Sequence, residues 1–198
     1  MSSTGVQLKN AATRRHLSDR QARTVHRLTE AAVAEVLKVG YTALTVRSVA
    51  TRAGVAPATA YTYFASKEHL VAEVFWRRFE AQEPRLADRR RSPAARATDV
   101  LLDFALVVAE ETDLAAACTV ALLADDAEVR DLRMRIGMEM HRRLVDALGD
   151  GVEPVVLQTL ELATSGALLQ VGTGHLDYDD IPALLADVAT LVLGASRP

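Results

Sequence analysis

A short segment of small, uncharged polar residues beginning at Pro57 carries the chemistry that stands out in this chain. At about 100° per residue of an α-helix, Ala60 and Phe64 share one side, and the opposite side carries Ala58, Thr59, Tyr61 and Thr62. Threonine hydroxyls can bond to base edges or phosphates, and alanine and threonine methyls can touch the methyl group of thymine. The segment is therefore predicted to have a packing face and an opposite, uncharged polar face whose side chains would suit contact with base edges.

Residues beside this segment could hold the DNA in place. Arg47 is the only nearby side chain that can bind guanine through two hydrogen bonds. Lys67 follows the expected helix N-cap Ser66, so its ammonium group and the free N–H groups of the first turn would face one phosphate. Thr45 and Tyr63 are candidate neutral donors to phosphates. Packing against the first helix is an equal alternative for Tyr63.

Helices must position these residues, because apolar residues recur at helical rather than alternating spacing between the glycines and prolines. We predict an all-α fold of about nine helices with no sheet. The expected helices cover residues 18–39, 46–53, 57–64, 66 onward towards the basic stretch 85–91, 94–111, 113–124, 127–148, 154–173 and 181–193.

The two short helices have distinct start and stop signals. Thr45 is the expected N-cap of the first, which Gly54 ends, and Pro57 suits the first position of the second. Two short helices joined by a glycine-containing turn of about three or four residues form a helix-turn-helix, whose second helix enters the major groove.

The charge is divided unevenly along the chain. Residues 1–67 hold 10 Lys and Arg against 3 Asp and Glu, and residues 68–198 hold 13 against 23. The net charge of −3 therefore divides into +7 and −10. This asymmetry indicates that the basic end meets a polyanion, with nucleic acid as the leading candidate. A merely solvated basic surface accounts for the charge equally well.

The single cysteine, Cys118, allows neither an intramolecular disulfide nor a CxxC metal site, which predicts a reducing, cytoplasmic location. The first 17 residues lack the apolar stretch of a secretory signal. The most apolar window, residues 155–171, is interrupted by polar residues, so we predict a buried helix and no membrane span.

The run LTVRSVATRAGVAPATAYTYFASKEHLVAEVF, residues 44–75, resembles the DNA-binding domain of the TetR family of transcriptional regulators. TEAA at residues 29–32 and Gly40-Tyr41 extend the resemblance to about residues 20–80. It implies base or backbone contacts for Arg47, Thr59, Tyr61 and Tyr63, and a phosphate contact for Lys67. Ala56 departs from the family pattern, which often has a serine N-cap there. Loss of such a cap costs about 0.5–2 kcal/mol of helix stability.

We predict three parts: a flexible basic arm at residues 1–17, a helix-turn-helix domain at 18–65 and a helical effector-binding and dimerisation domain at 66–198. In the arm, Arg14 and Arg15 could enter the minor groove, although a disordered tail is an equal alternative. The family forms homodimers through a four-helix bundle, whose segments here are residues 154–173 and 181–193. An ordinary monomer core is the alternative explanation of their apolar character.

The expected helix over residues 127–148 has two apolar stripes, one with Val129 and Ile136 and an opposite one that something must cover. Met suits a cavity for flexible apolar ligands, although it also fills irregular cores. The candidate ligand-binding residues are Phe104, Cys118, Met134, Met138, His141 and Gln170. They predict a small hydrophobic effector.

The sequence is compatible with three functions to different degrees. The first is a repressor released from a palindromic operator by a small hydrophobic ligand, and the second is a DNA-binding structural or activator protein without an effector. A cavity above about 300 Å³ would favour the first. An enzyme has little support, because the sequence contains no GxSxG, HExxH, P-loop or GxGxxG motif. No metal or cofactor is expected.

Overall fold

The computed structural model of the chain describes residues 19–83, 88–149 and 151–195. Within these residues it has nine α-helices and no β-strand, so the all-α prediction is confirmed. The helices are α1 (Asp19–Ala43), α2 (Val46–Ala53), α3 (Pro57–Tyr63), α4 (Lys67–Ala81), α5 (Pro93–Ala105), α6 (Thr112–Leu122), α7 (Ala127–Leu148), α8 (Pro154–Gly172) and α9 (Ile181–Ala195), with a 3₁₀ turn at Tyr178–Asp180. The predicted basic arm, with Arg14 and Arg15, and the expected helix start at residue 18 lie outside the described residues.

The first helix is broken at Gly40, one residue after its predicted end, and then continues for one further turn. Gly40 has φ +74° and ψ 163°, a conformation that glycine adopts without steric penalty. The break sets the backbone of Tyr41 and Thr42 beside α4, where both carbonyls accept hydrogen bonds from Lys67. The glycine therefore shapes the junction between α1 and α4.

The fourth helix ends at Ala81 and does not continue towards residues 85–91 as predicted. Pro84 gives a physical reason, because the residue before a proline is disfavoured in the helical region. From α7, the Arg143 guanidinium donates to the carbonyls of Phe79 and Gln82 at 2.9 and 3.4 Å. It therefore satisfies carbonyl groups at the end of α4.

The fifth helix is also shorter than predicted, ending at Ala105 rather than at residue 111. The chain then continues in tight turns, with the N–H of Ala109 bonded to the carbonyl of Leu106 at 3.3 Å. These turns bury Val108, which is 3% exposed.

The core is continuous from α1 to α9 and centres on α4, which packs against α1, α6 and α7. Seven of the residues of α4 are buried: Leu70, Val71, Ala72, Val74, Phe75, Trp76 and Phe79. The ring of Phe104 on α5 lies edge-on to Phe75 and Phe79, with centroids at 5.5 and 5.1 Å. Because α4 joins both ends of the molecule, it can carry a packing change from one to the other.

The apolar helix α8 was expected to be buried, and the structure buries only one of its faces. Val156, Leu160 and Ala167 lie in the core, whereas Val155, Leu162 and Leu169 are exposed. Among the described residues, α8 alone has the length and composition of a membrane span, and a single such helix is weak evidence because helices of globular proteins pass the same test.

Candidate DNA-binding surface and ligand cavity

The first helix of the helix-turn-helix begins at the predicted N-cap Thr45, which forms a reciprocal cap with Ser48. The Thr45 hydroxyl oxygen accepts a hydrogen bond from the N–H of Ser48 at 2.9 Å, and the Ser48 hydroxyl oxygen accepts one from the N–H of Thr45 at 3.3 Å. This arrangement satisfies two backbone donors at the start of α2. Thr45 is exposed and can still donate its O–H to a phosphate.

The turn after α2 depends on a glycine and an arginine. Gly54 has φ +61°, and a Cβ at this position would lie 3.2 Å from Arg27 Nη2. That nitrogen donates to the carbonyls of Ala53 and Gly54, so α1 holds the turn directly. The angle between α2 and α3 is fixed by this contact and by the glycine conformation.

The second helix of the motif has the two faces predicted from its sequence. Ala60 and Phe64 are 0% and 2% exposed. The residues on the opposite side are exposed, namely Ala58, Thr59, Tyr61 and Thr62. The Thr62 hydroxyl donates to the Ala58 carbonyl at 3.1 Å, which leaves its oxygen as an acceptor. Tyr63 is half-buried, between the two faces.

The start of α3 has the weak cap that the sequence predicts. Ala56 is its N-cap and supplies no side-chain hydrogen bond. Pro57 occupies the first turn, where its missing N–H leaves one donor fewer to satisfy. The remaining N–H groups at this end can bond to water or to a phosphate.

Two basic residues near α3 are held differently. Arg47 is exposed, and the structure shows no hydrogen bond or ion pair of its guanidinium with any described residue. The Lys67 ammonium, by contrast, donates to the carbonyls of Tyr41 and Thr42 at 3.0 and 3.3 Å and lies 4.5 Å from the centre of the Tyr41 ring. Lys67, which was predicted to contact a phosphate, thus already links α4 to the end of α1. A phosphate contact would use the third hydrogen of the ammonium group or another conformation of the side chain.

A cavity of about 490 Å³ lies between α4, α5, α6, α7 and α8. Its apolar wall includes Phe75, Phe104, Val108, Ile136, Met140 and Leu168. Leu162 and Leu169 line it and are 66% and 45% exposed, so the cavity opens on the exposed side of α8. The volume is within the range of about 300–1,000 Å³ found for small-molecule sites.

Two of the six candidate ligand residues line this cavity, and four do not. Phe104 and Cys118 are in its wall. Met134 and Met138 are 58% and 60% exposed on the outer face of α7, which instead turns Ile136 and Met140 towards the cavity. The exposed side chain of Gln170 lies outside the cavity wall.

His141 is outside the cavity wall but contacts Glu161, which lies in the wall. Its ring nitrogen Nδ1 lies 2.8 Å from Glu161 Oε1, and Glu161 is a cavity residue. The cavity wall also contains polar side chains that the sequence pattern does not predict, among them Arg133, Glu161 and Tyr178, because charged and polar side chains gave no pattern there. Burial raises the pKa of the Tyr178 hydroxyl above its ordinary value.

Cys118 is buried in the cavity wall, with its exposed fraction at 2%. Burial raises the pKa of its thiol from 9.0 to about 12, so the thiol is protonated at neutral pH. Cys118 therefore behaves as a small apolar residue of the wall and not as a redox-sensing thiol. Among residues 19–83, 88–149 and 151–195, no three His, Cys, Asp or Glu side chains are grouped to hold a metal.

An exposed second helix, joined to a capped first helix by a glycine turn that α1 holds, defines a helix-turn-helix protein of the regulatory class. Residues 28–74 match the family model of bacterial regulatory proteins, tetR family. The chain is 46% identical over 182 residues to an uncharacterized HTH-type transcriptional regulator of Mycobacterium tuberculosis, covering 90% of this chain and 85% of that protein. The chain belongs to the TetR family of transcriptional regulators.

Other relatives agree with this assignment. The HTH-type transcriptional repressor KstR of Rhodococcus jostii is 32% identical over 134 residues, which cover 67% of this chain and 63% of that protein. A TetR transcriptional regulator of Rhodococcus has the same fold, with a TM-score of 0.71, 23% identity and coverage of 87% and 98%. The fold is also that of FadR of Bacillus subtilis in complex with stearoyl-CoA, with a TM-score of 0.63, 19% identity and coverage of 87% and 99%.

Proposed function

We propose that this regulator is a homodimeric repressor that reads a palindromic operator with α3 and leaves it when a small, mainly apolar ligand enters the cavity. The observation that supports DNA binding is the exposed, uncharged face of α3 opposite the buried Ala60 and Phe64. Such a face can approach base edges closely without a charge to desolvate.

The proposed roles divide the DNA contacts into reading and positioning. Arg47 would bind a guanine, and the face containing Ala58, Thr59, Tyr61 and Thr62 would touch neighbouring bases. The positioning contacts to phosphates would come from Thr45, Tyr63 and Lys67. The exposed guanidinium of Arg47 supports the first role, because it requires no internal bond to break.

A single helix-turn-helix makes few contacts, so we propose pairing through α8 and α9. On α8 the exposed apolar residues Val155, Leu162 and Leu169 recur every seventh position. On α9 the exposed Leu184 and Leu191 have the same spacing. A heptad spacing keeps a stripe facing a partner helix, which supports a four-helix bundle between two copies.

The ligand half of the proposal rests on the cavity and on its contact with α4. Phe75 lines the cavity, and the same helix begins at Lys67, immediately after α3. A ligand that displaces α4 would therefore alter the orientation of α3 in each subunit. A relative named as a repressor and a neighbour solved with stearoyl-CoA are consistent with a repressor that binds an apolar ligand.

We further propose the division into residues 1–17, 18–65 and 66–198, a cytoplasmic location and a non-enzymatic role. The location follows from the function, since a bacterial regulator of this family must reach chromosomal DNA. The protein would act by binding alone, because release of the operator needs only a difference in ligand affinity between two conformations.

The test has two stages on the full-length protein. Bound sequences are selected from a random duplex library, and compounds are then screened for release of the selected complex. The proposal predicts a palindromic consensus and at least one apolar compound that releases the protein. A consensus without symmetry would contradict pairing, and selection of no sequence would contradict specific DNA binding.

A structural or activator protein without an effector remains the second candidate, and the cavity argues against it. A fully packed core would keep all of its packing contacts. An unfilled cavity lowers stability, because the atoms that line it lack packing contacts on one side. If no compound changes DNA binding, the second candidate is favoured.

A further inference from the structure

The cavity wall contains one acidic and one basic side chain among the described residues, Glu161 and Arg133. The two side chains differ in whether another side chain of the protein already pairs with their charged group. Glu161 Oε1 lies 2.8 Å from His141 Nδ1, so its carboxylate has a hydrogen-bond partner within the protein. Arg133 has no acidic partner in the part of the chain that the structure describes.

Arg133 is nevertheless held in position by hydrogen bonds from one nitrogen of its guanidinium. Its Nη1 donates to the carbonyls of Leu122 and Ala124 at 2.7 and 3.0 Å. These carbonyls lie at the C-terminal end of α6, where the helix dipole favours a cation. The Nε and Nη2 donors make no hydrogen bond with a described residue, and they are not fully buried. The guanidinium is therefore fixed in orientation and retains donors for a ligand.

We propose that the cavity ligand is an amphipathic acid whose carboxylate pairs with Arg133 while its apolar body fills the space between Phe75, Phe104 and Met140. This inference rests on the proposed function and specifies the chemistry of its effector. A guanidinium presents parallel N–H donors that match a carboxylate. An apolar wall with one fixed, unmatched cation favours a ligand with one anionic end.

Other headgroups fit the wall less well. An ammonium group would have to compete with His141 for Glu161 and would meet the field of Arg133. A neutral hydroxyl could accept a hydrogen bond from the guanidinium but would leave its charge without a counter-ion. Hydrogen bonds to charged partners contribute more than those between neutral groups, so the acid should bind most tightly.

Isothermal titration calorimetry measures the affinity of the full-length protein for three ligands of equal chain length. Dodecanoate, dodecanol and dodecylamine are used below the concentrations at which they form micelles. Dodecanoate should bind at least about tenfold more tightly than dodecanol. Equal binding of acid and alcohol, or preference for the amine, would overturn the inference.

Two variants locate the preference. Arg133→Met keeps an unbranched apolar side chain and should reduce dodecanoate affinity by about tenfold to a hundredfold, with dodecanol affinity little changed. Arg130→Met removes an arginine from the same helix, where it is exposed and paired with Asp125, and should leave both affinities unchanged. A preference for the acid that persists in Arg133→Met would contradict the assignment.

The outcomes separate this inference from the proposed function. Because Arg133→Met also loses the bonds to α6, circular dichroism must show that the variant is folded. The comparison of acid and alcohol in the unsubstituted protein does not depend on that variant. If none of the three compounds binds, the inference fails, and the compound screen on the DNA complex still decides the proposed function.

Discussion

The Ser66 hydroxyl donates a hydrogen bond to Asp126 Oδ2 at 2.7 Å, which joins the start of α4 to the start of α7. Each residue also caps its own helix: Ser66 accepts from the N–H of His69, and Asp126 accepts from the N–H groups of Glu128 and Val129. The bond to Ser66 holds the pKa of the Asp126 carboxyl below its ordinary value. The link to α7, one of the helices that line the cavity, thus lies three residues after the end of α3.

A double-mutant cycle should detect this link. Ser66→Ala and Asp126→Ala should each lower the free energy of unfolding, because each removes a cap and the shared bond. The loss in the double variant should be smaller than the sum of the single losses by about 1–2 kcal/mol. Urea unfolding measures all four proteins, and additive losses would show that the bond contributes nothing.

Substitutions of Lys67 and Arg47 should weaken DNA binding in different ways. Lys67→Ala should weaken binding to all sequences and reduce the slope of log affinity against log salt by about 1. It should also lower the unfolding temperature, because the ammonium caps the carbonyls of Tyr41 and Thr42. Fluorescence anisotropy over a salt series and thermal unfolding provide the two measurements.

Arg47→Ala should relax base preference, with a loss of about 1–3 kcal/mol for the selected site and a smaller loss for random DNA. Its thermal stability should change little, since its guanidinium is exposed. Equal losses on both DNA types and equal salt slopes for the two variants would contradict the division of roles.

The motif could be predicted from the sequence because its signals are local. Thr45, Gly54 and Pro57 specify the helix ends through caps and backbone conformation, and the burial of Ala60 and Phe64 follows from helical spacing. The short range of these rules explains why α2 and α3 lie where the pattern placed them. Lys67 was also placed correctly on its helix, but its partners depend on the break at Gly40.

The cavity was harder to predict because its walls come from five helices. The sequence showed two apolar stripes on α7, but spacing cannot tell which stripe faces the molecule. The structure turns Ile136 and Met140 inward and leaves Met134 and Met138 exposed. Arg133 could not be predicted as a cavity residue, because its orientation depends on hydrogen bonds to carbonyls at the end of α6, which the sequence does not show.

Acid should destabilise the protein partly through Glu139. Hydrogen bonds from Arg142 and Arg143 hold the pKa of this carboxyl at about 2, below the ordinary 4.5. Because the folded-state pKa is the lower one, the contribution is present above pH 4.5 and is lost as the pH falls towards about 2. The loss from Glu139 should be about 1–3 kcal/mol.

Urea unfolding midpoints at several pH values test this account. Glu139→Gln should reduce the drop in stability between pH values of about 5 and 3. Glu110→Gln replaces an exposed carboxylate outside this cluster and should retain the full drop. The Glu139 account fails if the two variants show the same acid dependence.

Cys118 should react slowly with alkylating reagents. Its thiol pKa of about 12, against an ordinary 9.0, lowers the thiolate fraction at neutral pH by about a thousandfold. The rate of iodoacetamide labelling, followed by mass spectrometry, should rise sharply in denaturant. Labelling of the folded protein at the rate of the unfolded chain would show that the thiol is exposed and ionisable.

The exposed face of α3 is most directly tested by a negative charge placed on it. Ala58→Glu adds a carboxylate there, and Ala116→Glu adds one to an exposed position on α6. Binding to the selected duplex in dilute salt is measured by fluorescence anisotropy for both variants and the unsubstituted protein. We expect Ala58→Glu to lose at least about a hundredfold in affinity while Ala116→Glu binds normally. If all three proteins bind the duplex equally, or none binds it, α3 is not the surface that reads DNA.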